Sequence, residues 1–315
     1  MTRFHLVQRF ALLSFTCLLA ALCGCATWLP PSVKVERNLT YAQVDGTSLH
    51  LDIYEPAQPV GKLPVVVWIH GGAWNSGSKN PCPIGFMAAK NLAIVSLDYR
   101  LTQTAPFPAQ LHDCKGAIRW LRAHADQYHL DADHIGIFGA SAGGHLALLL
   151  ATVHDNPALE GTVGGNNDRS SAVQCVCAFY PPTDLNRLVS DPAFRANPDA
   201  DVAKLIGGAV GSHVDKALAA SPLTYVDKKC APVFLLHGEA DTLVPPDQSK
   251  IFYAALQQVG VDAELEIVPH QGHGIIAPPA AAEKIYAFFN RHLLQPASLQ
   301  TEALPQPKPK STGGE

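Results

Sequence analysis

Charge is scarce in this chain: 16% of its 315 residues are charged, with 23 Lys plus Arg against 27 Asp plus Glu. A net charge of −4 builds no basic field, so nucleic acid is not an expected partner. The N-terminal apolar run Ala11–Leu22 stops at 12 residues, short of the roughly 20 that a spanning helix needs. Internal repeats are lacking, which sets aside solenoids and arrays. No Cys or His pair carries the flanking pattern of a zinc site, so neither a metal nor a cofactor is expected. What is abundant is apolar: 47% hydrophobic residues over this length bury a sizeable core and exclude disorder of the whole chain. Gly and Pro number 24 and 25, a level that suits a turn-rich globular domain. With no long polar linker in the middle, one large domain is the natural reading.

Arg3 and Arg9 precede the short apolar run, the arrangement of an export signal. The run ends in Leu22-Cys23-Gly24-Cys25, which resembles the lipobox of bacterial lipoproteins, although Cys23 departs from the usual small residue. That resemblance implies a lipoprotein-type signal peptide at 1–24, lipidation of Cys25, a tether at 25–32 and a protein anchored by lipid to the membrane. Ala26 lacks the acidic side chain that signals inner-membrane retention in such proteins, so the expected site is the outer membrane or another periplasm-facing position. An ordinary cleaved signal with incidental cysteines is the alternative.

Setting aside Cys17, Cys23 and Cys25 leaves Cys82, Cys114, Cys175, Cys177 and Cys230. An odd number in an exported domain allows at most two bridges and leaves at least one free thiol. Cys175 and Cys177 lie two apart in a strand-like run, on one face, where bridging geometry is poor. Buried core thiols are expected.

Apolar runs alternate with helical patterns downstream. Strands are predicted at 63–69, 92–97, 134–138, 173–179, 232–237 and 263–268, and helices at 107–128, 142–154, 246–259 and 278–294. Continuous apolar strands alternating with helices predict an α/β fold, with a mostly parallel central sheet covered on both faces. Residues 33–294 form the expected catalytic domain. The stretch 190–213, mixing Pro, Asp and small residues, has the position of a small cap region or a solvated crossover loop. The Pro-, Gln- and Lys-rich stretch 295–315 is an expected disordered tail.

The chemistry centres on Gly139-Ala140-Ser141-Ala142-Gly143, a G-x-S-x-G pattern between a predicted strand and a predicted helix. Such a turn holds its serine in a strained backbone and pushes Oγ clear of the sheet. The helix beginning at Ala142 aims its positive end at the same spot. His70-Gly71-Gly72-Ala73-Trp74 follows a buried strand, and its exposed amides suit an oxyanion hole built from Gly72, Ala73 and Ala142. His70 and Gly71 read as organisers of that loop. A serine needs a base, and the base an orienting carboxylate. Asp241 is preferred to Glu239, which follows its strand too closely, and His273, between two glycines, is preferred to His270. His237 reads as structural. Arg100 is expected to pair with Asp98 or Asp113 rather than to catalyse. Trp74 either stacks on a substrate or plugs the cleft.

The motifs HGGAW, GASAGGHLA, PALEGT, FYPPTDL, ASPLTYV, HGEADTLVP and HGI, spread over residues 40–292, together resemble the bacterial α/β-hydrolases related to bifunctional feruloyl and acetyl xylan esterases. The resemblance implies the α/β-hydrolase fold and a serine carboxylic-ester hydrolase with a Ser141-Asp241-His273 triad and an acyl-enzyme intermediate. A small-molecule or polysaccharide-linked ester is the implied substrate. Ala73 stands where many relatives have a third glycine, and Tyr180-Pro181-Pro182 where many read Tyr-Gly-Pro. Triad chemistry alone leaves open an amidase, peptidase or formamidase-like hydrolase. A binding protein that kept the fold and lost the chemistry is a further alternative, disfavoured because every catalytic position is filled.

Overall fold

A computed structural model describes residues 29–190, 198–275 and 277–294. The signal segment 1–24, Cys25 and the tail 295–315 lie outside the described residues.

Eight strands form one sheet in the order β1-β2-β4-β3-β5-β6-β7-β8. They are β1 (Val33–Val44), β2 (Thr47–Pro56), β3 (Leu63–Ile69), β4 (Ala93–Leu97), β5 (Leu130–Ala140), β6 (Cys175–Phe179), β7 (Val233–Gly238) and β8 (Ala263–Val268). From β4 to β8 across the sheet every neighbouring pair is parallel. The first two strands are an addition to the sequence expectation, an antiparallel hairpin that joins the sheet through β2 and β4. Its two-residue turn is Asp45-Gly46, both with positive φ (49° and 80°), and Val44 pairs with Thr47 across it. Asp-Gly is a favoured pair for such a turn because its twist matches that of the strands. Outer strand β1 exposes Lys34, Glu36 and Arg37 in its first half, so no continuous apolar run marks it.

The inner parallel strands are apolar where both faces are covered, whereas β8 at the sheet edge carries Glu264 and Glu266 and is only partly buried. Alternation sends Val65, Val67 and Ile69 of β3 into one core and Val66 and Trp68 into the other. On the second face Phe138 packs edge-on against Trp68 and Phe179, with ring centroids 5.5 and 4.8 Å away. Cys175 and Cys177 share this face, and all five cysteines of the described residues are buried free thiols. Leu29 packs against the same cluster, so the chain is already held four residues ahead of Val33.

Eight helices cover the described sheet: α1 (Ala109–Ala123), α2 (Ala142–Thr152), the single turn α3 (Pro157–Glu160), α4 (Leu185–Ser190), α5 (Pro198–Ile206), α6 (Val214–Ala219), α7 (Asp247–Gln258) and α8 (Pro279–Phe289). Helix α1 is shorter at both ends than its apolar pattern suggested, and β5 starts earlier, at Leu130. Every residue of α2 is buried, as befits a helix that is apolar all round. The described part of the expected cap, 198–213, holds α5 and a tight turn at Val210–Ser212, and α6 follows directly after it. It is tied to the body by Phe107 N–H donating to Leu205 O (2.7 Å) and Asn75 Nδ2 donating to Asp201 Oδ1 (2.8 Å). Arg100 pairs with Asp113, not Asp98: its Nε and Nη2 donate to the carboxylate at 2.9 and 2.7 Å, and its backbone N–H adds a third bond. No helix among the described residues is long and apolar enough to cross a membrane.

Candidate active site

Strand β5 ends at Ala140 and α2 begins at Ala142, leaving Ser141 alone at the corner with φ 55° and ψ −122°. A non-glycine residue pays conformational energy there, of order 1–3 kcal/mol. The corner is held by Ser141 N–H donating to Phe179 O (2.9 Å) and His145 N–H donating to Ser141 O (2.9 Å). Its glycines are steric necessities. A Cβ on Gly143 would collide with the Ile69 carbonyl oxygen, and one on Gly71 would come within 2.9 Å of Ala140 O. The HGGA loop can therefore lie directly against the serine.

The structure brings the three residues selected for the triad into one chain of hydrogen bonds. His273 Nε2 lies 3.0 Å from Ser141 Oγ, and His273 Nδ1 lies 2.7 Å from Asp241 Oδ2. Each comes from the carboxyl end of a different strand, β5, β7 or β8, which is where this class of fold places its sites. The other oxygen of Asp241 accepts the backbone N–H groups of Leu243 (2.8 Å) and Val244 (3.0 Å). Burial alone pushes the Asp241 carboxyl up, but hydrogen bonds from His237 and His273 outweigh it and hold the group well below the carboxylate range. Asp241 is thus a fixed anion that favours the tautomer with Nδ1–H toward it and Nε2 free to accept the serine proton. Glu239 and His270 take no part: Glu239 Oε2 accepts the His270 backbone N–H at 3.2 Å, outside the triad.

Among the described residues, the N–H groups of Gly72, Ala73 and Ala142 have no partner within the protein. The loop that carries two of them is strained, with φ 109° at Gly72, 50° at Ala73 and 59° at Trp74. His70 organises it: Nδ1–H donates to Gly71 O (2.7 Å), the ring stacks on Tyr99 at 4.3 Å, and Tyr99 Oη donates to His70 O (3.0 Å). Burial lowers the His70 pKa, keeping the ring neutral. Trp74 is 3% exposed, so it plugs the interior and does not face substrate.

Two histidines matter more than the sequence suggested. His145, fully buried on α2, accepts Trp74 Nε1–H at 3.1 Å through Nδ1 and donates Nε2–H to Ala220 O at 2.7 Å. Burial pushes its pKa down to about 4, so the neutral ring that this pairing demands is the one present. The available signal was its place four residues after Ser141 inside the apolar run HLALLLA, where a buried imidazole must find two partners. His237 Nε2 lies 2.8 Å from Val244 O and 3.3 Å from Asp241 Oδ2, while Nδ1 lies 2.7 Å from Ser249 Oγ. The Val244 carbonyl can only accept, so Nε2 carries the proton and also faces the Asp241 anion. Tyr180, with φ 38°, packs its ring 4.4 Å from that of His273. Thr183 and Asp184 are tied to Gln248 of α7.

Known proteins are similar to this chain in sequence and in fold. A probable carboxylic ester hydrolase, LipM of Mycobacterium tuberculosis, is 33% identical over 247 residues, covering 75% of this chain and 56% of its own. The chain spans about half the length of the curated relatives it matches first. Among solved structures, a truncated carbohydrate esterase from gut microbiota superposes with a TM-score of 0.75 at 28% identity, covering 83% of this chain and 97% of that one. Esterase 2 of Thermogutta terrifontis, phosphonylated by sarin, gives a TM-score of 0.69 at 27% identity, covering 84% and 95%. The BD-FAE family model matches residues 51–256, and with its α/β-hydrolase sheet the chain belongs to the BD-FAE family.

Proposed function

We propose that this protein is a serine carboxylic-ester hydrolase acting through an acyl-enzyme. The observation that carries this reading is the unbroken Ser141-His273-Asp241 chain at a strained corner, at 3.0 and 2.7 Å. Ser141 Oγ attacks the ester carbonyl carbon and passes its proton to His273 Nε2. The carbonyl oxygen becomes an oxyanion held by the N–H groups of Gly72, Ala73 and Ala142, with the N-terminal end of α2 adding its field. Collapse expels the alcohol, which leaves with the proton from His273. Water, deprotonated by the same imidazole, then attacks the acyl carbon; Ser141 recovers its proton as the acid departs. Asp241 stabilises the transient imidazolium without taking its proton.

Acetyl and feruloyl esters of a carbohydrate are the proposed substrates, supported by the motif resemblance and by the carbohydrate esterase among the structural neighbours. A phosphonylated neighbour recommends the probe. A fluorophosphonate should add once to the wild type and not to Ser141→Ala; an adduct kept by that variant overturns the nucleophile. A panel of acetyl, butyryl, feruloyl and anilide substrates separates ester from amide hydrolysis. Faster turnover of the anilide would favour the amidase reading.

For localisation we propose export and lipid anchoring at Cys25, supported by the Arg-flanked apolar run and Leu22-Cys23-Gly24-Cys25. One acyl chain binds membrane marginally and two or more bind stably. Wild type should fractionate with the membrane and Cys25→Ser should not. Equal masses and equal solubility would leave an ordinary signal.

A further inference from the structure

At the end of the sheet opposite Ser141, the segment leaving α2 meets the segment that leads into β7. Ala231 N–H donates to Ala151 O at 3.1 Å and pins the two together. His154 lies two residues beyond α2, and Cys230 three residues before β7. The tight turn at 227–230 folds Asp227 back toward Cys230: Cys230 N–H donates to Asp227 O (3.2 Å) and Asp227 N–H to Cys230 Sγ (3.2 Å). One ligating atom each from His154, Asp227 and Cys230 then falls within 4.8 Å of the other two.

The three donors differ in kind and in exposure. The thiol of Cys230 is buried, Asp227 stands at the rim, and His154 is half-buried with its Nε2 atom shut off from solvent. That Nε2 has no hydrogen-bond partner among the described residues, although a buried polar atom without one is rare and costly.

We propose that His154, Asp227 and Cys230 bind a divalent transition metal ion of the zinc class. Imidazole nitrogen, thiolate sulfur and carboxylate oxygen form a donor set that zinc accepts, whereas magnesium and calcium take oxygen ligands. Zinc bonds of about 2.0–2.3 Å place tetrahedral donors roughly 3.3–3.8 Å apart. Asp227 Oδ1 already lies 3.9 Å from Cys230 Sγ, and the remaining contraction inside the 4.8 Å limit falls to the exposed Asp227 side chain, which gives up the Lys229 N–H that its Oδ1 accepts at 2.7 Å. On binding, the Cys230 S–H bond breaks, its proton goes to solvent and a sulfur–metal bond forms, with no change of oxidation state. Thiolate and carboxylate then neutralise the dication. Of the nearby charges, Lys229 is held by Asp155 at 2.8 Å, and Lys228 is exposed. A fourth position is left for solvent. The sequence offered no hint, because no ligand-spacing pattern joins His154 to Asp227 and Cys230 across the intervening chain.

Cobalt titration of the whole, metal-free chain tests the site. Wild type should develop a near-ultraviolet thiolate-to-cobalt charge-transfer band that saturates at one equivalent and is displaced by zinc. Cys230→Ser should abolish the band, and His154→Gln should weaken cobalt binding at least about tenfold, while ester hydrolysis stays unchanged in both. Absence of the band in wild type, its survival in Cys230→Ser, or unaltered affinity in His154→Gln would each overturn the three-donor site. Because the readout is spectroscopic, the result is independent of the esterase reading.

Discussion

Replacing His145 with leucine keeps the volume of a fully buried side chain while deleting both of its hydrogen bonds. At about pH 7.5 the loss should be large, since Trp74 Nε1–H and Ala220 O are then buried without partners, at about 1–3 kcal/mol each. Acid reverses part of that difference. In the unfolded chain a histidine titrates near 6.5, whereas burial holds His145 at about 4 in the native state. Between those values the unfolded chain binds the extra proton, so wild-type stability falls as pH falls from about 6.5 and levels off below about 4. For this group alone the loss from about pH 7.5 to about pH 5 is about 2 kcal/mol. The leucine variant has no proton to exchange at this position, and the remaining histidines contribute equally to both proteins.

Urea unfolding of wild type and His145→Leu at the two pH values should show the stability gap narrowing by about 2 kcal/mol in acid. A gap independent of pH would refute the assignment of His145 as a buried neutral ring. The same variant releases Trp74 and, with it, the positive φ of Ala73 and Trp74. Turnover should fall by up to about 10²–10³, the scale of one oxyanion donor, with KM little changed. Intact kcat would mean that the loop holds its shape without the histidine.

Other expectations follow from the same contacts. Asp241→Asn should cost on the order of 10⁴ in kcat with the fold intact, because an amide no longer fixes the His273 tautomer; circular dichroism and kinetics check both halves. Asp113→Ala leaves the Arg100 guanidinium without its carboxylate and should lower unfolding free energy by about 3–5 kcal/mol, read by chemical denaturation. Gly143→Ala drives a methyl group into the Ile69 carbonyl, so soluble yield should collapse; normal expression would show that the corner can open.

Local patterns made the proposed triad legible. The corner at Ser141 is announced by small residues between a strand and a helix, and Asp241 and His273 sit in loops that directly follow β7 and β8, so chain order sufficed to choose them. Glu239 and His270 were separable by the same reasoning, and the structure finds them bonded to each other instead. The parallel strands were visible because burial on both faces leaves continuous apolar runs. The hairpin was not, since β1 is half solvent-facing and its main signal is a single Asp-Gly pair.

Long-range partnership is what escaped. A buried histidine announces that it needs two partners but not which ones, and His145 finds Trp74 in the loop that follows β3. The consequence is physical as well as interpretive. The HGGA loop follows β3, the serine follows β5, and the two are pressed together only because Gly71 and Gly143 lack side chains. Steric contact of that kind sets how near the loop lies, and hydrogen bonds set its peptide planes: His70 Nδ1–H donates to Gly71 O (2.7 Å), and the Asn75 and Ser76 N–H groups donate to Gly72 O (both 3.0 Å). The Trp74–His145 bond adds a tie from the strained end of the loop to the helix that begins at Ser141, so the proposed nucleophile and the proposed oxyanion donors are anchored to one rigid element.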